Sequence, residues 1–190
     1  MADSVTFKVL VVGPFGVGKT TFIEQISTVP VVGTEAPTTG AESSVKDTTT
    51  VGIEYGIFTV GDDEIEVTLL LFGTPGQDRF SDVRNVAARG LDGLMVLVDG
   101  TDEETWPTAA ELYQTFNPDG SIPTLMAINR WPEGEDLPAG LGDIIAPLGP
   151  VVVASGDVID TDDARRFLIE LLSAMLDREI PEDAPAMERV

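Results

Sequence analysis

The octapeptide GPFGVGKT, residues 13–20, restricts the fold of this chain more than any other stretch. It comes directly after an apolar run that ends at Val12, and Lys19 opens an amphipathic stretch. The sequence therefore predicts a strand, a tight loop and a helix in that order. The spacing matches G-x-x-x-x-G-K-[ST], a loop in which backbone N–H groups and a helix N-terminus converge on nucleotide phosphates. In this pattern Lys19 lies between the outer phosphates, and the hydroxyl of Thr20 is a ligand for Mg²⁺.

This loop supplies most of the predicted nucleotide-binding residues. Its glycines let the backbone wrap around the phosphates, and the helix dipole favours their negative charge. The predicted set in this segment is Gly13, Phe15, Gly16, Val17, Gly18, Lys19, Thr20 and Thr21.

Apolar runs alternate with amphipathic stretches along the rest of the chain. The predicted strands are Phe7–Val12, Val51–Val60, Ile65–Phe72, Leu94–Val98, Thr124–Ile128 and Pro150–Ala154. The predicted helices are Lys19–Ser27, Asp78–Arg89, Glu103–Phe116 and Thr161–Arg178, with a short one at Leu141–Ala146. The turn GDDE predicts an antiparallel hairpin, whereas Val29–Thr50 has no sustained period and is predicted to be a long loop. Strands that alternate with helices indicate an α/β fold with a mainly parallel sheet.

Length and composition place these elements in one domain. The chain has 190 residues, of which 43% are hydrophobic, and this is enough to bury one sizeable core. We assign residues 1–178 to this domain. Residues 179–190 are rich in proline and glutamate and are predicted to form a short, disordered acidic tail.

Charge and cysteine content exclude several kinds of partner. The net charge is −22, so nucleic acid would be repelled. The chain lacks cysteine, and Ala2 stands where N-myristoylation requires glycine, which predicts no direct lipid anchor. Because no apolar run could span a bilayer and the first residues do not resemble a signal peptide, we expect a soluble cytoplasmic protein. The dispersed acidic residues leave two interpretations open: a solvated surface, or adaptation to a high-salt cytoplasm.

Beyond the phosphate loop, four segments resemble the Ras-like small GTPases. TVGIEYG (50–56) is similar to the Rab-type first switch and the strand after it, and GQDRF (76–80) is similar to the second switch. RGLDGLMVLVDGTD (89–102) is similar to the next strand, and ASG (154–156) is similar to the last loop on the guanine side. The resemblance extends from Val5 to Leu176. With its TPGQ segment (74–77), the chain is most similar to prokaryotic members of the gliding-polarity (Mgl) type and the conservon type.

The resemblance implies the small-GTPase form of the P-loop NTPase fold: a mainly parallel six-stranded sheet with one antiparallel edge strand and helices on both faces. It also implies GTP and GDP as ligands and Mg²⁺ as cofactor. The activity would be slow GTP hydrolysis stimulated by a partner protein, as in a signalling or polarity switch.

The resemblance also assigns roles to individual residues. Thr50 would bind Mg²⁺ and sense the γ-phosphate, although Thr49 stays open as an alternative. The N–H of Gly76 would contact that phosphate, and Gln77 would orient the attacking water. The implied catalytic residues are thus Gln77, Lys19 and Thr50, and the implied metal ligands are Thr20 and Thr50; Gly76, Asn129, Arg130, Ser155 and Gly156 complete the nucleotide-binding set.

Two positions depart from the family pattern at the metal and at the base. Gly73 stands where the second switch normally has an aspartate that holds Mg²⁺ through a water molecule, which predicts metal affinity lower by about 10–100-fold. The base-reading motif N-K-x-D is NRWP here, so Pro132 replaces the carboxylate that accepts two hydrogen bonds from guanine. Residues that could replace this carboxylate are Glu133, Glu135 and Asp136.

A third departure concerns the activating partner. Phe15 occupies a position that stays small in Ras itself, where an arginine of an activating partner enters. Arg79 or Arg84 could act in cis instead, or could simply be surface residues of the switch helix. A small Roadblock-type partner that reshapes the switches would suit this loop.

Two other functions are compatible with the sequence. LMVLVD (94–99) also fits the apolar run followed by aspartate that supports the metal in P-loop ATPases and kinases, and NRWP does not demand guanine. The second alternative is a scaffold that binds nucleotide without hydrolysing it, in which Gln77 would be replaceable without consequence.

Overall fold

A computed structural model describes residues 3–32, 53–62, 64–74 and 90–177, and the backbone alone of residues 35–37, 48–50 and 178–179. Its strands are β1 (Asp3–Val12), β2 (Glu35–Pro37), β3 (Thr48–Thr50), β4 (Glu54–Gly61), β5 (Ile65–Gly73), β6 (Gly93–Asp99), β7 (Thr124–Asn129) and β8 (Val152–Gly156). Its α-helices are α1 (Lys19–Ile26), α2 (Trp106–Phe116), α3 (Leu141–Ile145) and α4 (Thr161–Glu179), and short 3₁₀ helices lie at Glu103–Thr105 and Ala146–Leu148.

Six of these strands form one sheet in the order β4-β5-β1-β6-β7-β8. Strand β1 lies parallel to β5 and β6, and β7 lies parallel to β6 and β8. Within this sheet only the pair of β5 and the edge strand β4 is antiparallel, because a tight hairpin joins these two strands. The predicted six-stranded, mainly parallel sheet with one antiparallel edge is confirmed.

Both faces of the sheet carry helices, as predicted. Alternate residues of a strand point to opposite faces, so Val9 and Val11 pack with α1 and α4 while Leu10 and Val12 pack with α2 and α3. Helix α4 shows most clearly why the helices pack on the sheet. Its buried residues recur at helical spacing along one stripe, and they are Ala164, Phe167, Leu168, Leu171, Leu172 and Met175.

The segment 29–50 differs from the predicted long loop. Within it, β2 and β3 pair as a short antiparallel ribbon in which Glu35 lies opposite Thr50. Strands of three residues are too short to produce a periodic pattern, which explains why the sequence did not indicate them. The predicted helix Asp78–Arg89 and most of the predicted tail lie outside the described residues.

The hairpin between β4 and β5 sets a register that matters for the site. In the turn, Oδ1 of Asp62 accepts hydrogen bonds from the backbone N–H groups of Ile65 at 3.0 Å and Glu64 at 2.9 Å, and these bonds lower the pKa of Asp62. From this turn the pairing continues to the other end of the hairpin, where Glu54 lies directly opposite Gly73.

Within the described ranges, no helix combines the length and the apolar character that crossing a membrane requires.

Candidate nucleotide-binding site

The carboxyl ends of the central parallel strands meet at one edge of the sheet. Strand β1 runs into the loop that begins at Gly13, and β6, β7 and β8 end at Asp99, Asn129 and Gly156. Ligands of parallel α/β sheets bind at this edge, because the loops and helix N-termini converge there. The residues predicted for phosphate and base binding are thus brought to the same side of the molecule.

The phosphate loop connects β1 to α1. The ammonium group of Lys19 donates hydrogen bonds to the carbonyl oxygens of Gly13 and Pro14, both at 2.8 Å, and only 7% of this residue is exposed. Gly18 caps the helix with φ 106°, a left-handed conformation that favours glycine. A Cβ atom at Gly18 would also lie 3.0 Å from the side-chain amide of Asn129. The loop is therefore closely packed against the base side of the site.

The residues beside Thr20 suit a hard divalent cation. The Thr20 hydroxyl, at the start of α1, donates a short hydrogen bond to Oε1 of Glu54, which is 4% exposed. Since that hydroxyl uses its proton on Glu54, its lone pairs remain for a metal, and oxygen is the ligand atom that Mg²⁺ prefers. The described residues contain no cluster of three or more acidic or histidine side chains for a metal. In nucleotide sites Mg²⁺ is held largely by phosphate and water oxygens, so a sparse protein donor set fits it.

Asn129 joins the phosphate loop to the loop after β8. Its Nδ2 donates to the Val17 carbonyl at 2.8 Å, and its Oδ1 accepts from the N–H of Val158 at 3.0 Å and of Arg130 at 2.9 Å. The residue is 1% exposed. A single buried amide therefore holds three loops of the site in register.

Arg130 adopts φ 59°, the one left-handed non-glycine conformation among the described residues. Its guanidinium forms a short ion pair with Asp99 and donates to the Gly16 carbonyl at 3.1 Å. The other carboxylate oxygen of Asp99 accepts from the backbone and side chain of Thr101, at 3.0 and 2.8 Å. The carboxylate of Asp99 thus binds protein donors at the base side, which does not favour the metal-supporting role that the ATPase alternative gives it.

The position of the missing base-reading carboxylate is occupied by Pro132. Its carbonyl oxygen accepts a hydrogen bond from the Ser155 hydroxyl at 3.0 Å, which links the two base loops. Of the acidic residues considered as replacements, Glu133 forms an ion pair with Arg166 at 3.3 Å, and the backbone carbonyl of Asp136 accepts from the Trp131 indole at 3.0 Å.

Arg166 of α4 supports the loop that follows β8. It donates to the Ser155 carbonyl at 2.7 Å and to Oδ1 of Asp163 at 2.6 Å. The other oxygen of Asp163 accepts from the N–H of Asp157 at 2.9 Å. Partial burial alone would lower the pKa of Arg166. Its hydrogen bonds to Asp163 and Glu170 and the charge of Glu133 outweigh burial, so this pKa is raised and the guanidinium stays charged.

The structure brings together the predicted residues of the phosphate loop and of the base side, whereas most residues of the two switches lie outside the described ranges. The described members are the phosphate loop, Asn129, Arg130, Ser155 and Gly156, whose carbonyl accepts from the Trp131 N–H at 3.3 Å. The backbone of Thr50 lies in β3, whereas Gly76, Gln77, Arg79 and Arg84 lie outside the described residues. The sequence did not indicate Glu54 and Asp163 as residues of this site. An acidic residue within a largely apolar strand was the available signal for Glu54.

Sequence comparisons agree with this geometry. Residues 8–129, more than half of the chain, match the Ras family. The human EF-hand calcium-binding domain-containing protein 4B is 24% identical over 177 residues, which cover 91% of this chain and 23% of that protein. The Ras-related protein Rab-13 of Canis lupus familiaris is 32% identical over 102 residues, or 53% of this chain and 43% of the relative. The Ras-related protein SEC4 of Saccharomyces cerevisiae is 30% identical over 117 residues, which cover 60% of this chain and 47% of that protein.

The chain spans less than half the length of these curated relatives. The family match begins in β1 and ends at Asn129, so it includes the phosphate loop and the amide that holds it. With the six-stranded sheet and the phosphate loop at its carboxyl edge, this match shows that the chain belongs to the Ras family of small GTPases.

Proposed function

We propose that this protein is a Mg²⁺-dependent switch that binds GTP and GDP and hydrolyses GTP slowly. The observation that carries the proposal is the set of hydrogen bonds of Asn129, because they join the phosphate loop to both base-side loops. A ligand that contacts all three loops would meet them already held in register. A nucleotide, with phosphates at one end and a base at the other, is such a ligand.

In this proposal the chain contributes mainly positioning and charge. Lys19 and the N–H groups of the phosphate loop bind the β- and γ-phosphates, and the Thr20 hydroxyl binds Mg²⁺ together with Thr50. Bound Mg²⁺ would neutralise charge that develops on the phosphate oxygens. Gln77 orients the attacking water, and the N–H of Gly76 contacts the γ-phosphate, so the order of both switches depends on that group.

We further propose that a small partner of the Roadblock type stimulates hydrolysis, as in the prokaryotic Mgl and conservon types. Phe15 is half-buried in the phosphate loop, which leaves less room there for an inserted arginine than a smaller residue would. Arg79 or Arg84 of this chain would then supply the positive charge in cis. The proposed setting is cytoplasmic signalling or polarity.

Replacing Gln77 by Leu tests turnover. We expect the single-turnover rate of GTP hydrolysis to fall by about 10–100-fold, because the attacking water loses its orienting group. GDP affinity should stay unchanged, since Gln77 is assigned only to the water. The measurement is phosphate release from preloaded GTP, with Gln114→Leu, at an exposed position of α2, as a control of the same chemistry. Equal, measurable rates would contradict the role of Gln77, and no phosphate release by either protein would favour the scaffold without turnover.

Replacing Pro132 by Asp tests base recognition. We expect the ratio of GDP affinity to ADP affinity to rise at least about tenfold, because two charge-assisted hydrogen bonds to guanine become available. Pro132→Ala removes the ring without adding the carboxylate and should leave the ratio unchanged. Calorimetric titration of both nucleotides into the three proteins measures this. If the wild type prefers ADP, the ATPase alternative gains support and guanine binding is wrong.

A further inference from the structure

A buried carboxylate lies beside the expected magnesium ligand without belonging to any predicted set. Glu54, the first residue of β4, is 4% exposed, and its Oε1 accepts the proton of the Thr20 hydroxyl. A buried carboxylate is costly unless the structure uses its charge. A hydroxyl group has one proton and two lone pairs, so this bond turns the lone pairs of Thr20 away from Glu54.

The place of this carboxylate is linked to the absence of a side chain at Gly73. Glu54 and Gly73 are directly opposite in the antiparallel pair, and opposite residues project to the same face of a sheet. A Cβ atom at Gly73 would lie 2.9 Å from Oε2 of Glu54 and 3.2 Å from its Cβ. It would also lie 2.6 Å from Cδ1 of Ile23. The carboxylate of Glu54 therefore occupies space that a side chain at Gly73 would need.

We infer that Glu54 is a positioning residue for Mg²⁺, and that its carboxylate supplies from β4 the negative charge that Gly73 cannot supply from β5. It acts through Thr20, by fixing the orientation of the hydroxyl and by adding a buried charge beside it. The inference rests on the proposed Mg²⁺-dependent nucleotide binding. It replaces the expectation that the glycine at position 73 leaves the metal weakly supported.

Burial gives this charge an influence that the exposed acidic residues lack. The chain carries 33 acidic residues, so a single exposed carboxylate changes the field at the site very little. A carboxylate in a low-dielectric interior is screened far less, and its loss should be felt mainly by the bound cation. Glu66, an exposed glutamate of β5 in the same hairpin, provides the matched comparison.

Glu54→Gln is the first test, because the amide keeps an oxygen for the Thr20 proton and removes only the charge. Release of a fluorescent GDP analogue is followed while free Mg²⁺ is varied, and release in EDTA is measured separately. We expect the Mg²⁺ concentration at the midpoint to rise by about 10–100-fold in Glu54→Gln and to stay unchanged in Glu66→Gln. In EDTA all three proteins should release GDP at the same rate.

The second test moves the charge back to the other strand. Glu54→Ala should raise the Mg²⁺ midpoint as Glu54→Gln does. In E54A/G73D the carboxylate no longer occupies the space beside residue 73, so the flexible end of Ile23 must move and the Cβ of residue 54, 3.2 Å from that of residue 73, must shift slightly. The Mg²⁺ midpoint should then fall back towards the wild-type value. Thermal unfolding in EDTA is measured for every variant, so that a loss of folding is not mistaken for a loss of metal binding.

The outcomes separate this inference from the proposed function. If wild-type GDP release does not respond to Mg²⁺, the proposed function itself is wrong. A Mg²⁺ response in the wild type with an unchanged midpoint in Glu54→Gln overturns the role of Glu54 alone. Faster release by Glu54→Gln in EDTA as well, together with no recovery in E54A/G73D, would show a purely structural contact and would also overturn it.

Discussion

Lys19→Met is expected to lower GDP affinity by about 10–100-fold, because a charge-assisted hydrogen bond to the β-phosphate, worth about 1.5–3 kcal/mol, is lost. The ammonium group lies at the first residue of α1 and is held by the Gly13 and Pro14 carbonyls, so its position is fixed by the loop it stabilises. Methionine fills a similar volume without the charge. Calorimetry with GDP and Mg²⁺ is the measurement.

The fold should tolerate Lys19→Met. Removing the bonds to two carbonyl groups is offset by removing a buried ammonium group, which is costly to hold in the interior. Thermal unfolding without nucleotide should therefore shift by only a few degrees. Lys8→Met is the control, since it removes the same charge from β1 away from the phosphate loop. GDP affinity that is equal in Lys19→Met and Lys8→Met would contradict the assignment of the loop as the phosphate site.

The parts of the site that the sequence predicted are those whose chemistry is local. The glycines, Lys19 and Thr20 fall within one octapeptide, so their spacing alone indicates a phosphate loop between a strand and a helix. The central strands were equally predictable, because β6 and β7 are buried on both faces and appear as continuous apolar runs.

The parts of the site that the sequence did not predict depend on strand register. Glu54 and Gly73 meet because the hairpin turn fixes which residues of β4 and β5 lie opposite each other. The turn itself was predicted, and counting outward from it would have paired these two residues. Asp99 and Arg130 meet because β6 and β7 end in register, with Asp99 beside Asn129. That pairing follows from the order of strands in the sheet, which local patterns do not contain.

Asn129→Asp is expected to lower both stability and GDP affinity. The substitution keeps the shape but turns the donor that faces the Val17 carbonyl into a charged oxygen. A buried unsatisfied neutral group costs about 1–3 kcal/mol and a charged one costs more, so we expect the unfolding free energy to fall by about 3 kcal/mol. GDP affinity should fall about 100-fold or more, since the same contact holds the phosphate loop.

Asn117→Asp is the control that makes this prediction specific. Asn117 is also 1% exposed, and its amide donates to the Ile122 carbonyl at 2.7 Å and to the hydroxyl of Thr124, the first residue of β7, at 3.0 Å. Asn117→Asp should destabilise the fold by a similar amount and leave GDP affinity of the folded protein unchanged. An equal loss of affinity in both variants would mean that Asn129 acts only through global stability.

The dependence on pH provides an independent check of why Asn129→Asp destabilises. Burial and the Val17 carbonyl that faces the Nδ2 position raise the pKa of the introduced carboxyl above its value in the unfolded chain, about 3.9, and outweigh the N–H groups of Arg130 and Val158, which favour the charged form. The loss of stability is therefore complete above the raised pKa and shrinks as the pH falls towards the unfolded value. Denaturant unfolding at about pH 7.5 and about pH 5 should show a smaller difference from the wild type at the lower pH. A difference that does not change with pH would mean that the missing N–H donor at the Val17 carbonyl, and not the buried charge, dominates the cost.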